Sequence, residues 1–419
     1  MKLPAQSLAD AKIVLDRERA ELDPRFPEDR CLYVDRDLET HQALITEAQS
    51  AYVSKRPFRW FFTGHTGAGK STELNRIVAS AEVIEHYVPY IYRVRDNLDV
   101  HNLDFTDLIL GIAQSVASVA STSKVTVSKA LHHRMDKWGS DTELETELGI
   151  SGTGKTGIEF NALVFKASAE VQAGGEKRKI VREKLHESLT DFIKLIDDLV
   201  AAVEKKEKKR VLVIIDTLDH VDHRPIRDIF TNHWASLSRP KVSLLTVIPL
   251  PMLFEPQFMA AVSTNVSLLP NVKVYSSPNS AGLDAGGFDF FRTVLSRLAE
   301  LNLFSDDALR ELFRLSGGML RDMIGLAGDA CKYADIDKAD QVDPKHCTRV
   351  LDERKAFFRR LLKGSDYEIL RMLRDNPRPL GIEGLGPLLD LKAVIFYPNG
   401  EGWYGLNPAV QSILDAAAR

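Results

Sequence analysis

Eight residues, Gly64-His65-Thr66-Gly67-Ala68-Gly69-Lys70-Ser71, have the types and the spacing to hold a chain of phosphates. Glycines let a backbone turn its N–H groups inward with no Cβ in the way. Lys70 supplies a cation for the outer phosphates, and the Ser71 hydroxyl a ligand for Mg²⁺. The flanks suit the motif. Trp60-Phe61-Phe62 before it predicts a buried strand. Thr72-Glu73-Leu74-Asn75-Arg76-Ile77-Val78 after it predicts a helix whose positive dipole end faces the phosphates.

A second group with chemical potential is Val211-Leu212-Val213-Ile214-Ile215-Asp216-Thr217-Leu218-Asp219. Five consecutive aliphatic residues predict a strand buried on both faces of a parallel sheet. An acid at its end is costly to bury unless it meets a metal or a donor. Asp216 is therefore a candidate to hold Mg²⁺ through its water shell.

Gly149-Ile150-Ser151-Gly152-Thr153-Gly154-Lys155-Thr156 fits the same loop pattern in different surroundings. Leu144, Leu148 and Ile150 alternate with Glu143, Glu145, Glu147 and Ser151 before it. Ile158, Phe160 and Ala162 alternate with Glu159 and Asn161 after it. Period two on both sides predicts a β-hairpin with a glycine-rich tip, and no helix start to hold a phosphate.

The elements that must position these groups can be read along the chain. Residues 1–23 carry a short amphipathic pattern, and 38–54 predict a helix leading into the first strand. Residues 88–94 and 241–249 predict further strands, and 271–275 a strand closing the sheet. Residues 103–120 and 176–210 predict long amphipathic helices. The basic end of the second, Lys205 to Arg210, complements the helix dipole. A linker rich in Ser, Gly, Pro and Asn, 276–287, predicts a domain boundary. Helices follow, one ending at Gly317-Gly318. From Ser365 a helix, a short helix, and two strands joined at Asn399-Gly400-Glu401-Gly402 have the outline of a winged helix. Its short helix region, Gly381 to Lys392, has one lysine, whereas a groove-reading helix needs Arg, Lys, Asn or Gln on its open face.

Composition bounds the alternatives. The chain has 419 residues, 44% hydrophobic and 27% charged, enough for two or three compact units. A net charge of −4 gives no general pull toward nucleic acid or anionic membrane. Cys31, Cys331 and Cys347 are far apart and without metal-ligand spacing, which suggests a reducing compartment. The charged opening residues do not read as a signal peptide, and no apolar run approaches a membrane span. The expectation is a cytoplasmic protein with no membrane partner.

Together these stretches resemble the AAA+ superfamily of P-loop NTPases, within it the STAND and origin-recognition branch. The matching residues are Gly64 to Thr72, Ile214 to Asp219, Thr246 with Pro249, Gly317-Gly318-Met319-Leu320-Arg321-Asp322, and the terminal wing. The resemblance implies an α/β fold: a parallel-sheet P-loop NTPase (AAA+) core with a helical lid and a C-terminal winged-helix domain. The expected segments are 1–45 (N-terminal), 46–280 (core, with an insertion and hairpin at 121–175), 288–345 (lid) and 346–419 (winged helix). It implies ATP and Mg²⁺ as ligands, with Gly64 through Thr72 holding the nucleotide and Ser71 and Asp216 the metal. Tyr33 would lie against the adenine, unless it is a plain core residue. Thr246 would sense the γ-phosphate or the attacking water, or is an ordinary strand residue. Arg321 would reach the γ-phosphate from the lid, or pair with Asp322 or Asp329.

Two departures matter. AAA+ hydrolases usually place Glu after the strand-ending Asp, and here Thr217 stands there, with Asp219 the nearest substitute. From Val242 to Val272 there is no Arg or Lys, so an arginine finger at the usual place is excluded. Both point to slow hydrolysis and a nucleotide-dependent switch. The resemblance further implies a separate effector or sensor protein as partner, in a bacterial defence or mobile-element system, with an oligomer possible. The alternative is a DNA-binding initiator or transposition regulator that uses the winged helix.

Overall fold

The structure, a computed structural model, describes residues 3–15, 22–36, 39–148, 158–218, 223–262, 265–379 and 381–417. Strands β1 (Arg59–Thr63), β2 (Tyr87–Arg93), β3 (Arg210–Asp216), β4 (Ser243–Val247) and β5 (Val266–Leu268) form one sheet in the order β2-β3-β4-β1-β5. The β2–β3, β3–β4 and β4–β1 pairs are parallel. Arg93 lies opposite Asp216, Ile215 opposite Thr246, and Thr246 opposite Phe61. Parallel strands end at one edge. Asp216 closes β3 at the edge from which Gly64 leaves β1. From Val211 to Asp216 every residue of β3 is buried, as its unbroken aliphatic run requires.

The chain divides into two compact units that interleave in sequence. The first comprises 39–62 and 77–267 and contains nearly all of the sheet. Its core is built from Phe61, Tyr92, Leu108, Ile112, Val116, Ile196, Val213 and their neighbours. Helix Phe105–Thr122 packs against β2 and β3. It starts where Asp104 accepts from the Thr106 amide (2.9 Å) and Asp107 accepts back from the Asp104 amide (2.9 Å). This helix has the length and mean hydropathy of a membrane span, contrary to the expectation that no such run exists, but 78% of it is buried inside the unit.

Three expectations for this region are corrected. The flanks of the second glycine motif are helices, Leu144–Glu147 and Ile158–Ala173, not hairpin strands. Alternation over five or six residues does not distinguish the two periods. Leu163, Val164, Ala167 and Val171, spaced three and four apart and all buried, carry the helical one. The motif itself, Gly149 to Thr156, lies outside the described residues. The long helix expected over 176–210 is two, Glu176–Glu187 and Leu189–Glu207, meeting at Ser188. The fifth strand is Val266–Leu268, and 271–275 is not a strand.

The second unit comprises 1–38, 63–76 and 268–419. It holds the glycine loop, the first turns of helix Lys70–Ala79, and the lid helices Ala285–Leu298, Asp306–Ser316, Leu320–Ile336 and Pro344–Leu361. It also holds helices Gly364–Asp375, Leu385–Asp390 and Pro408–Ala417 with the antiparallel pair β6 (Val394–Tyr397) and β7 (Trp403–Leu406), a winged-helix arrangement. Its core stacks Phe291 on Phe313 (ring centroids 5.7 Å) with Phe288, Leu312, Met323 and Ala327 around them. The fold as a whole is thus an α/β P-loop core with a helical lid and a terminal winged helix.

Helix Asp306–Ser316 shows how local sequence aims the lid. Ser305 caps its start by accepting from the Ala308 amide (3.3 Å), and Gly317 (φ 59°) ends it. Gly318 follows at φ 81°, and a Cβ there would stand 1.9 Å from the Val272 carbonyl oxygen. Gly318→Ala is therefore expected to cost about 2 kcal/mol or more. Gly282→Ala, where nothing lies within 4 Å, is the control. The check is the urea midpoint of each variant; equal midpoints would contradict the turn described here.

Candidate functional site

A loop whose amides face a ligand must turn its carbonyls outward, and each of those then needs a donor. Donors are present for five of them. Lys70 Nζ donates to the Gly64 carbonyl (2.8 Å) and the His65 carbonyl (3.0 Å), and the latter also accepts from the Ala68 amide (3.0 Å). The Gly67 carbonyl accepts from the Arg321 amide (3.0 Å), Ala68 from Arg36 Nη1 (3.1 Å), and Gly69 from the Glu73 amide (3.0 Å). Gly67 (φ 91°) and Gly69 (φ 99°) sit in the left-handed half of backbone space that this shape requires. A Cβ on either would come within 3.0 Å of Arg321 or Leu320. Lys70 is buried, and two of its ammonium donors are committed to holding the loop. Thr66, Ser71 and Thr72 are half-buried on the loop and the first helical turn.

The N-terminal segment braces the loop from one side. Arg36 reaches both the Ala68 and Pro270 carbonyls, and its burial lowers its pKa. Tyr33 donates its hydroxyl to Glu73 Oε2 (3.1 Å), with the Arg76 guanidinium 5.7 Å from its ring centre. Burial raises the Tyr33 phenol and the Glu73 carboxyl alike.

The lid and the wing brace it from the other side. Arg321 stands at the start of helix Leu320–Ile336, its Cβ against Gly67. Its buried neighbour Asp322 pairs with Arg354 (2.7 Å) and with Lys392 of the winged helix (3.3 Å). The Lys392 amine is 3.5 Å from where a Gly67 Cβ would be, and its burial lowers its pKa against the pull of Asp322. His65 is buried, and its Nε2 accepts from the Phe396 amide of β6 (2.8 Å), which leaves the ring proton on Nδ1. Sequence reading missed Arg36, Lys392 and the role of His65. Each is a lone polar residue whose partner lies far along the chain, so no spacing announces it.

In the other unit, Asp216 is 1% exposed at the end of β3. Thr217 follows at φ 68° and donates its amide to Asp216 Oδ1 (2.7 Å), and its Oγ1 accepts from the Arg95 amide (3.0 Å). Thr217 thus anchors the turn that leaves β3. Thr246 is buried next to the end of β4, between Ile215 and Phe61 in the sheet. Asp219 lies outside the described residues. Among the described residues no group of three or more His, Cys, Asp and Glu has metal-holding geometry.

No family model and no curated protein matches the sequence. Among solved structures, Cdc6p from Pyrobaculum aerophilum is similar at 12% identity and a TM-score of 0.38, over 93% of this chain and 99% of that one. The Orc1 protein of Aeropyrum pernix, solved in complex with DNA, is similar at 14% identity and a TM-score of 0.43, over 97% and 96%. A RuvB variant from Thermotoga maritima is similar at 10% identity and a TM-score of 0.37, over 94% and 98%. The α/β architecture described above rests on this chain's own strand order and loop.

Burial, with the Lys70 and Lys392 cations, lowers the His65 pKa from 6.5 to about 3, against the opposing pull of Asp322. A base whose folded pKa is depressed leaves the unfolded chain binding more protons in that window. Its stabilising effect is present above pH 6.5 and falls progressively as the pH drops toward 3. His65→Gln keeps a side-chain acceptor without the titration. Its urea midpoint is expected to fall less than that of the wild type between pH 7 and pH 5; identical pH profiles would contradict this.

Proposed function

We propose that the chain binds ATP·Mg²⁺ and works as a nucleotide-dependent switch with slow hydrolysis. The observation that carries the reading is the glycine loop. Five of its carbonyls are met by donors from Lys70, the first helical turn, the N-terminal segment and the lid, so the shape of the loop is fixed before a ligand arrives. Gly67 and Gly69 let the loop keep its turn against the lid, since a Cβ at either position would meet Arg321 or Leu320. Ser71 and Asp216 are the residues to hold magnesium, which supplies charge neutralisation to the phosphates. Arg321 enters from the lid, in the same unit as the loop, and reports the γ-phosphate. Thr246 is the polar strand residue suited to orient water, and Asp219 is the substitute base.

Slow turnover follows from Thr217 in place of a glutamate, its amide engaged by Asp216 and its hydroxyl by the Arg95 amide beyond β2. A switch that hydrolyses slowly needs something to read its state. We infer a separate effector or sensor protein, in a bacterial defence or mobile-element setting, and a cytoplasmic location.

A second reading, a DNA-binding initiator or transposition regulator, has one observation in its favour. Arg359, Arg360, Lys363, Arg371 and Arg378 are exposed along helices Pro344–Leu361 and Gly364–Asp375 and just beyond. Helix Leu385–Asp390, the reader in such a fold, has no basic residue and buries Leu385, Leu388 and Leu389. Duplex binding measured against salt separates the two, because each neutralised phosphate adds about −0.9 to the slope. A flat response favours the switch without DNA, and a steep one favours the second reading.

Lys70→Ala removes both the cation and the donor that ties the Gly64 and His65 carbonyls. Titration with a fluorescent ATP analogue is expected to show at least a hundredfold loss of affinity, about 2.7 kcal/mol. Wild-type affinity in that variant would overturn the nucleotide reading.

A further inference from the structure

His65 is bound at both ends. Its carbonyl accepts from Lys70 Nζ (3.0 Å), and its ring accepts from the Phe396 amide (2.8 Å). The amide it meets is one that the wing cannot satisfy. Phe396 lies opposite Tyr404 in the β6–β7 pair, and the Tyr404 amide points away from the hairpin to the Pro377 carbonyl (2.8 Å). The two residues are thus a non-hydrogen-bonded pair with outward amides. The outward amide of β6 is an edge donor, and among the described residues the loop histidine stands where a neighbouring strand would. Around this bond the wing is fixed to the lid. Tyr397 donates to the Gly317 carbonyl (3.0 Å), and Lys392 pairs with Asp322 (3.3 Å) beside Gly67.

We propose that His65 is a positioning residue through which the wing shapes the phosphate loop, so that a docked wing and a bound nucleotide stabilise each other. This rests on the nucleotide reading above. The ring fixes the His65 peptide, the peptide fixes Lys70, and Lys70 meets the phosphates. Linkage makes the effect reciprocal: whatever factor the docked wing adds to nucleotide affinity, nucleotide adds to wing docking. His65 does not touch the reacting atoms in this scheme, and its side chain is committed to the wing.

Two measurements on the full chain test it: affinity for ADP·Mg²⁺, and hydrogen exchange of the peptide spanning 393–406 with and without ADP·Mg²⁺. In the wild type, nucleotide is expected to slow exchange of that peptide. His65→Phe keeps a ring without an acceptor. It should weaken ADP about tenfold, abolish the nucleotide effect on exchange, and speed exchange of 393–406. His65→Gln restores an acceptor and should return both readouts toward wild type. It also serves if the Phe variant does not fold, because a Gln variant that uncouples the two readouts would contradict the proposal. Wild-type affinity and exchange in His65→Phe would overturn it, as would wild-type exchange indifferent to ADP. The Lys70→Ala variant keeps the two ideas apart. If it binds ADP normally the nucleotide reading fails, and if it alone loses ADP the reading stands and the His65 coupling fails.

Discussion

A phosphate grip made of backbone is bought at the expense of its own carbonyls. Turning the amides of Gly64 to Ser71 inward sends the oxygens outward, and a buried carbonyl without a donor costs about as much as a lost hydrogen bond. Much of the second unit can be understood as the supply of those donors. Lys70 covers two carbonyls, Arg36 one, the Arg321 amide one, and the first helical turn one. The N-terminal segment at Arg36 and the lid helix that starts at Leu320 are thereby tied to eight residues of loop. The glycines at 67 and 69 make room for those ties, since a side chain there would meet the start of the lid helix.

The same constraint explains why the loop belongs, by packing, with the lid and the wing rather than with most of the sheet. The loop gains its shape from Arg36, Arg321 and His65 and its place in the chain from β1. An anion entering the cradle therefore acts on groups that the lid and the wing also hold. Asp322 stands between the Arg354 and Lys392 cations, one from the lid and one from the winged helix, and is the pivot of that shared charge balance. On the sheet side, the turn after β3 is closed by Thr217 rather than opened by an acid, and the arginine-free run from Val242 to Val272 offers no finger.

Much of the fold was legible in the sequence because its signals were long or chemically sharp. The aliphatic run ending in Asp216, the glycine loop between an apolar run and a helix start, the Gly317-Gly318 stop, and the Asn399-Gly400 turn each depend on a local rule that tertiary context does not overturn. The second glycine motif shows the opposite case. A pattern match with short alternating flanks was read as a hairpin, and the flanks are helices because burial at Leu163, Ala167 and Val171 follows the longer period. Tyr33 shows a third case. The sequence signals its ring, while the bond from its hydroxyl to Glu73 is set by the fold. Arg36, Lys392 and the ring of His65 were not legible at all, because their partners at Ala68, Asp322 and Phe396 are set by topology and not by spacing.

The central proposal is that the loop holds ATP and that the chain hydrolyses it slowly. The direct measurement is to incubate the purified chain with ATP and Mg²⁺, remove free ligand, denature the protein, and identify what it retained over time. The account predicts near-stoichiometric adenine nucleotide, mostly ATP at first and converting slowly to ADP on the protein. A chain that retains none, or one that has turned all of it over by the first time point, would contradict it.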